Sequence, residues 1–370
     1  MTGETTNRAK AYQTKRNWLR LYNLLLTLAI LELVILFRWT DMFYSWAAVI
    51  SSRPYVMLSI YFLFFSIYLL ILSLPLDFYS GFMLEHEYQL SNQNFRGWLA
   101  EFIKQIVLSF AMMLALVILL YALIWNFEHW WWLWAWIAYA AFSLILGKLF
   151  PVLIIPLFYQ YSPIHDEELK QRIENLARRF GMEVKNISSL NLSKTTKKAN
   201  AAFTGFGKTK RVILADTLLK SFSHDEIETV LAHELGHFKH RDIWKQFFLG
   251  VVISFIGFWI CFVTIDTISR FFGYAGAGDI RAFPLVCSIF FLFGLVTGPL
   301  ANGFSRHVEF RADRFALEAN KNKNAFISAM QKLSLMNLAD PEPHPVIEFL
   351  FYDHPPIGKR IRVAERWEPQ

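Results

Sequence analysis

Five consecutive residues, His233-Glu234-Leu235-Gly236-His237, carry the strongest chemical signal in the chain. On a helix, residues four apart share a face, so His233 and His237 present two imidazoles to one point. Two neutral imidazoles at that spacing bind one Zn²⁺. Glu234 between them is placed to take a proton from a water that the metal acidifies. Ser223, followed three residues later by Glu226, reads as a capping box that opens this helix. The bland alternative is a helix that carries two surface histidines by chance.

Catalytic zinc takes three protein ligands and keeps a fourth position open. The candidates for the third are His240, His307 and Glu309. Topology favours Glu309. One apolar run follows the histidine helix and leaves its side of the membrane, and a second run returns at about residue 304. The helix expected next carries Glu309. Asp313, four residues on, shares its face and is suited to accept a hydrogen bond from a ligand imidazole and fix its tautomer.

The elements that must position these groups are mostly apolar. Of 370 residues, 55% are hydrophobic and 18% charged, with 36 Phe and 13 Trp. A soluble domain carries about a quarter charged residues, and this composition also excludes disorder, a coiled coil and a collagen-like fibre. The two cysteines, Cys261 and Cys287, exclude a disulfide scaffold and read as small buried hydrophobes. A bilayer span takes roughly 20 helical residues. Six runs qualify, near 18–37, 55–75, 103–125, 130–158, 246–272 and 283–304. The fourth contains Pro151 and Pro156 and is expected to break. Glu32, Lys148, Asp266 and Asn302 fall inside runs and either line a protein interior or snorkel to an interface.

Lys and Arg alternate with these runs. Residues 1–20 hold five, 38–54 two, 126–129 none, 160–245 fifteen, 273–282 one and 305–370 ten. The net charge of +7 therefore reads as membrane orientation, not as nucleic-acid binding. Both termini and both large polar segments are expected in the cytosol. The organisation expected is a membrane region over 1–159, a catalytic segment over 160–245, a transmembrane hairpin over 246–304 and a second catalytic segment over 305–370. The first segment opens with a helix from Asp166 to Phe180, closed by Gly181. Strand-like runs follow at 187–192, 199–205 and 211–215. A helix over 305–319 opens the second. The fold class is thus mainly α: a polytopic membrane protein with about six transmembrane helices and a small α+β zincin-like metalloprotease domain built from two cytosolic segments.

Several stretches together resemble the type I CAAX prenyl proteases, polytopic membrane zinc metallopeptidases. They are His233 to His240 (HELGHFKH), Glu309 to Asp313 (EFRAD), Asn200 to Gly205 (NAAFTG), Arg211 to Leu219 (RVILADTLL), His354 to Ile357 (HPPI) and Leu74 to Tyr79 (LPLDFY). The resemblance runs from about residue 70 to the end. It implies one Zn²⁺ per chain on His233, His237 and Glu309, with Glu234 as the base. It implies that Asn200 and Ala201 open an edge strand along which substrate lies extended, that His354 sits by the metal to stabilise an oxyanion, and that Arg360 lines the site. It implies a peptide or lipidated protein as substrate and lipid as the surroundings. The membrane would be the inner membrane in a bacterium or the endoplasmic reticulum in a eukaryote.

The chain departs from that family in two respects: eukaryotic members have seven spans where six are read here, and the polar stretch before the zinc motif, Asp216 to Ser223, is short and lacks the insertions of some relatives. Two other readings stay open. HtpX-type quality-control proteases share the motif and act on damaged membrane proteins. A non-catalytic membrane protein with a structural metal would need four protein ligands, and only three good ones are found.

Overall fold

The computed structural model describes residues 3–204 and 211–369. Gly205, the end of the second strand-like run, lies outside them. Among the described residues six helices are long and apolar enough to cross a membrane. They are α1 (Gly3–Leu36), α3 (Pro54–Phe78), α4 (Phe95–Asn126), α5 (Trp131–Leu149), α9 (Asp242–Phe271) and α10 (Phe283–Asn320). The helix α3 continues through a π turn, Tyr79–Met83, to Glu87. As expected from its prolines, the fourth run breaks: α5 gives way to a π turn at Phe150–Ile154 and a last short turn, Ile155–Phe158.

Two elements differ from expectation. The segment between the first two runs is not a loop. Arg38 turns the chain with φ at 55°, and α2 (Trp39–Ile50) follows, burying Thr40, Phe43 and Ala47. Those positions, three and four apart, form a helical stripe, but the segment is too short and too apolar on its other faces for the pattern to stand out. The sixth run and the helix expected after it are one element. The 38 residues of α10 extend about 57 Å, nearly twice the thickness of a bilayer core. Its buried residues fall at two ends, Phe283–Ser288 and Val308–Ala319. One end is anchored in the membrane core and the other in the catalytic core, so no joint separates the last span from Glu309.

The catalytic half contains β1 (Tyr161–Pro163), α6 (Glu167–Arg179), β2 (Asn186–Leu190), β3 (Ala201–Thr204), β4 (Arg211–Ala215), α7 (Asp216–Ser221) and α8 (His224–Lys239). After α10 come α11 (Lys323–Asn337), α12 (Pro345–Phe351) and α13 (Ile357–Glu365). The three-residue β1 is too short to be recognised by alternation. Asp166 caps α6, which buries Leu169, Ile173, Leu176 and Ala177 on one stripe, and Gly181 follows with φ at 70°. The sheet order is β1-β2-β4-β3, with β2 and β4 parallel and the outer pairs antiparallel. This leaves β3 at an edge. Residues from both polar segments share one core: Ile173, Leu214, Leu218 and Leu231 from the first, Phe315, Phe326 and Ala364 from the second.

Candidate metal centre

Local sequence fixes α8 before any metal is considered. The capping box forms as expected. Ser223 Oγ accepts from the Glu226 amide, and a Glu226 carboxylate oxygen accepts from the Ser223 amide at 2.7 Å. The helix packs against α10 at Gly236. A Cβ there would sit 3.0 Å from Phe315 Cδ1 and 3.2 Å from Ala312 Cα. Only a glycine lets the two axes come this close, and the close approach brings Glu309 to the histidines.

His233 Nε2 and His237 Nε2 lie 3.1 Å apart. Glu309 Oε2 is 3.2 Å from the first and Oε1 is 3.2 Å from the second. Two donors about 2.0–2.1 Å from a tetrahedral ion are separated by roughly 3.3 Å, so this triangle has the edge length of a zinc site. Glu309 Oε2 is buried and makes no well-aligned hydrogen bond; the His233 imidazole nitrogen faces it, at 3.2 Å. A carboxylate set this way against two imidazole nitrogens fits a divalent cation. Among the described residues this is the one cluster of His, Cys, Asp and Glu whose ligand atoms converge in this way.

The other two histidines weighed as ligands are turned elsewhere. His240 Nδ1 bonds the Gly236 carbonyl at 2.8 Å, and His307 is exposed.

Each ligand imidazole is backed by a carboxylate, and each carboxylate by an arginine. Asp313, fully buried, has Oδ1 2.9 Å from His233 Nδ1. Arg360 grips Asp313 at both oxygens, at 2.8 and 2.5 Å, and its Nη2 is 3.3 Å from His233 Nδ1. Arg360 thus stands behind His233, buried, and does not line the cavity. On the other side, Asp242 Oδ2 is 3.2 Å from His237 Nδ1, and Arg311 from α10 pairs with Asp242. Sequence reasoning missed Asp242. A signal was available, because a second metal histidine also needs a partner to fix its tautomer.

Burial lowers the pKa of His233, but the neighbouring carboxylates of Asp313 and Glu309 outweigh it and push it up to about 9. The surroundings are therefore strongly negative, which suits a cation. His354, in the loop before α13, hydrogen-bonds Asp353 through Nδ1 at 2.9 Å and places Nε2 3.5 Å from Glu309 Oε1. Asp353 first, and Glu309 after it, raise the His354 pKa against the lowering effect of burial. Burial also opposes the charge on Arg360, but Asp313 more than compensates and raises it.

Glu234, the three donors, Asp353, His354 and Phe203 of β3 line one cavity of about 340 Å³. The outer side of β3 has no strand partner among the described residues. Its approach is pinned: the Asn200 carbonyl accepts from the Ala215 amide at 3.0 Å, and Asn337 accepts from the Ala199 amide at 3.1 Å. The Asn200 side chain is exposed and Ala201 opens the strand.

Two family models account for nearly the whole chain. "Peptidase family M48" matches residues 163–368. "CAAX prenyl protease N-terminal, five membrane helices" matches residues 1–160, where four helices among the described residues are long and apolar enough to cross a membrane. A Bacillus subtilis protein named "Uncharacterized metalloprotease YhfN" is 30% identical over 301 residues, covering 80% of this chain and 70% of that protein. "CAAX prenyl protease 1" of Saccharomyces cerevisiae is 29% identical over 80% of this chain and 69% of its own. The crystal structure of Ste24p from S. mikatae has the same fold. It superposes with a TM-score of 0.90 over 99% of this chain and 90% of that one, at 24% identity. The chain is a multi-pass membrane metallopeptidase and belongs to peptidase family M48.

Proposed function

We propose that this protein is a zinc endopeptidase that cuts prenylated, CAAX-type peptides and proteins near their C-terminus. The observation that carries the reading is the His233–His237–Glu309 triangle set beside an open edge strand. The names of the relatives give the substrate class. The positive-inside pattern supports a site at the cytosolic leaflet, where a lipid anchor presents its peptide.

His233, His237 and Glu309 would hold the metal, with Asp313 and Asp242 fixing the imidazole tautomers. A zinc ion bound there supplies Lewis acidity to the scissile carbonyl and makes water a nucleophile at neutral pH. The chain does the rest. Backbone groups of β3, from Asn200 and Ala201 onward, pair with an extended substrate and hold its scissile bond over the cavity. Because main-chain groups do the holding, sequence readout at each position is weak. Glu234 takes the proton from the attacking water and delivers it to the leaving amine nitrogen. With Asp353 on Nδ1 favouring the charged ring, His354 in its imidazolium form offers an Nε2 hydrogen to the developing oxyanion. Arg360 acts through Asp313, without touching substrate.

The test is a mass-resolved cleavage assay on a farnesylated peptide and on an unfolded membrane protein, using wild type, chelated wild type and Glu234→Gln. Cleavage of the farnesylated peptide that is lost on chelation and in Glu234→Gln is expected. Cleavage of the unfolded protein alone would reassign the chain to membrane quality control. Glu234→Gln acting at wild-type rate would remove Glu234 from the mechanism.

A further inference from the structure

Three cavities lie before, beside and beyond the edge strand β3. One of about 830 Å³ ends at Asn200. The catalytic cavity includes Phe203. A third, of about 810 Å³, lies beyond it and shares His237, Phe238 and Ile243 with the catalytic cavity. Phe203 and Phe238 pack at the junction with their rings tilted and centroids 5.4 Å apart.

The third cleft is apolar inside. Phe180 and Met182, just past α6, form one wall, and Ile243, Trp244 and Phe248 from the first two turns of α9 form the other. The α9 residues are 43%, 38% and 59% exposed, although they begin a membrane-spanning helix. As the first turns of a span, they would turn this exposed face to the bilayer where the helix enters it. The cleft is thus open to lipid along α9 and continuous with the metal donors at His237. Its size lies within the range of small-molecule sites, roughly 300–1,000 Å³. Among the described residues no carboxylate lines it.

The geometry points to this cleft as the subsite for the isoprenyl chain of the substrate cysteine, an inference that rests on the prenyl-peptide reading above. Strand polarity supports the placement. Antiparallel pairing, the more stable kind, runs a peptide from the Phe203 end of β3 toward Asn200. Residues before the scissile bond then lie at the Phe238 cleft, and residues after it lead into the Asn200 cavity. In a C-terminal Cys-a-a-X sequence the lipid is on the cysteine, and a cut directly after it would release the three residues beyond. The lipid therefore falls at the cleft that opens to the bilayer. Lys239, Arg241 and Lys245 stand at the same cleft, so an acidic phospholipid is the rival occupant.

The experiment uses the full chain in phosphatidylcholine nanodiscs. One peptide carries a farnesylated Cys-a-a-X terminus and a matched peptide carries S-methylcysteine. Each buried methylene contributes about fourfold in affinity, so Trp244→Ala/Phe248→Ala is expected to raise KM for the farnesylated peptide at least tenfold. It should leave the S-methyl peptide and the zinc content unchanged. A benzophenone-bearing isoprenyl peptide bound to Glu234→Gln protein is expected to label residues between 239 and 248. Equal loss on both peptides, or a label on the residues around Trp98 and Met112 of α4, overturns the proposal. So does a farnesyl preference that survives the double substitution while activity comes to depend on acidic lipid through Arg241. Wild type that cuts neither peptide sinks the proposed function instead, and the photolabel still reports on the cleft.

Discussion

Gly236→Ala tests whether helix approach sets the metal site. The added Cβ would lie 3.0 Å from Phe315 Cδ1, 3.2 Å from Ala312 Cα and 3.3 Å from Phe315 Cβ. Carbon atoms rest at about 3.5–4.0 Å, so α8 and α10 must part by roughly half an ångström. Phe315 has little room to yield. It is buried, its ring meets Phe180 at 4.7 Å, and Lys239 lies over its face at 4.9 Å. Ala312 Cα is backbone and moves only with α10. Glu309 lies one turn earlier on the same helix and moves with it, which lengthens both of its 3.2 Å edges to the histidines. Overpacking costs about 1–3 kcal/mol, and replacing a helical glycine returns about 0.5–1 kcal/mol. The remainder, on the order of 0.5–2 kcal/mol, corresponds to about a 2- to 30-fold weaker zinc complex. Competition against a chromophoric chelator measures it on the purified full chain, and peptide cleavage should fall in step. Gly250→Ala in α9 is the control, since nothing lies within 4 Å of its Cβ. Wild-type zinc affinity and rate in Gly236→Ala would refute the claim that this contact places Glu309.

Two further substitutions probe what surrounds the donors, and a third tests an ion pair remote from them. Asp242→Asn should weaken zinc binding about 10- to 100-fold while leaving the His233 side intact, read by the same competition assay. Asp313→Asn should weaken zinc similarly, and it also strips the buried Arg360 of its bidentate partner. A loss of about 3–5 kcal/mol in stability is therefore expected for Asp313→Asn, seen as a lower unfolding midpoint even with zinc in excess. His224 lies away from the metal. Burial lowers its pKa, but hydrogen bonds to Asp166 and Glu168 raise it overall. The folded pKa exceeds the unfolded one, so the contribution is full below the unfolded pKa and fades as pH rises through the folded value. The wild-type melting temperature should fall slightly between pH 6 and pH 8 for this reason, and His224→Ala should flatten that part of the profile.

The spans were legible because bilayer length and apolarity are properties of a run, readable without neighbours. The catalytic helices were legible through caps: Asp166, Ser223 with Glu226, and Gly181 each act within one turn of chain. What escaped depends on partners. The helix α2 lies in a segment flanked by Arg38 and Arg53 that counts as a loop in any charge map, yet it buries Thr40, Phe43 and Ala47 against its neighbours. The continuity of α10 escaped because the sequence around Gly303 and Ser305 turns polar where a span should end. A helix needs no change of element to leave a membrane, and polar residues suit the water beyond it.

The metal ligands and Asp313 were legible because each sits at helical spacing from another functional residue: His233 from His237, Glu309 from Asp313. Asp242 follows no such period. It is the first residue of α9, reached from α8 through Arg241 in a left-handed turn with φ at 56°. That turn reverses the face on which the next side chain projects and brings a carboxylate back under His237. Arg311, two residues after Glu309, then meets it from α10. The two arginine–carboxylate–histidine chains are therefore built differently. Asp313 is carried by the helix that supplies a ligand, whereas Asp242 opens the span that leaves the site. A tilt of α9 in the bilayer would move Asp242 against His237 and leave His233 undisturbed. Zinc affinity in Asp242→Asn should consequently lose whatever dependence on bilayer thickness the wild type shows, while Asp313→Asn should keep it. Equal dependence in both variants would mean that the first turn of α9 is rigidly part of the catalytic half.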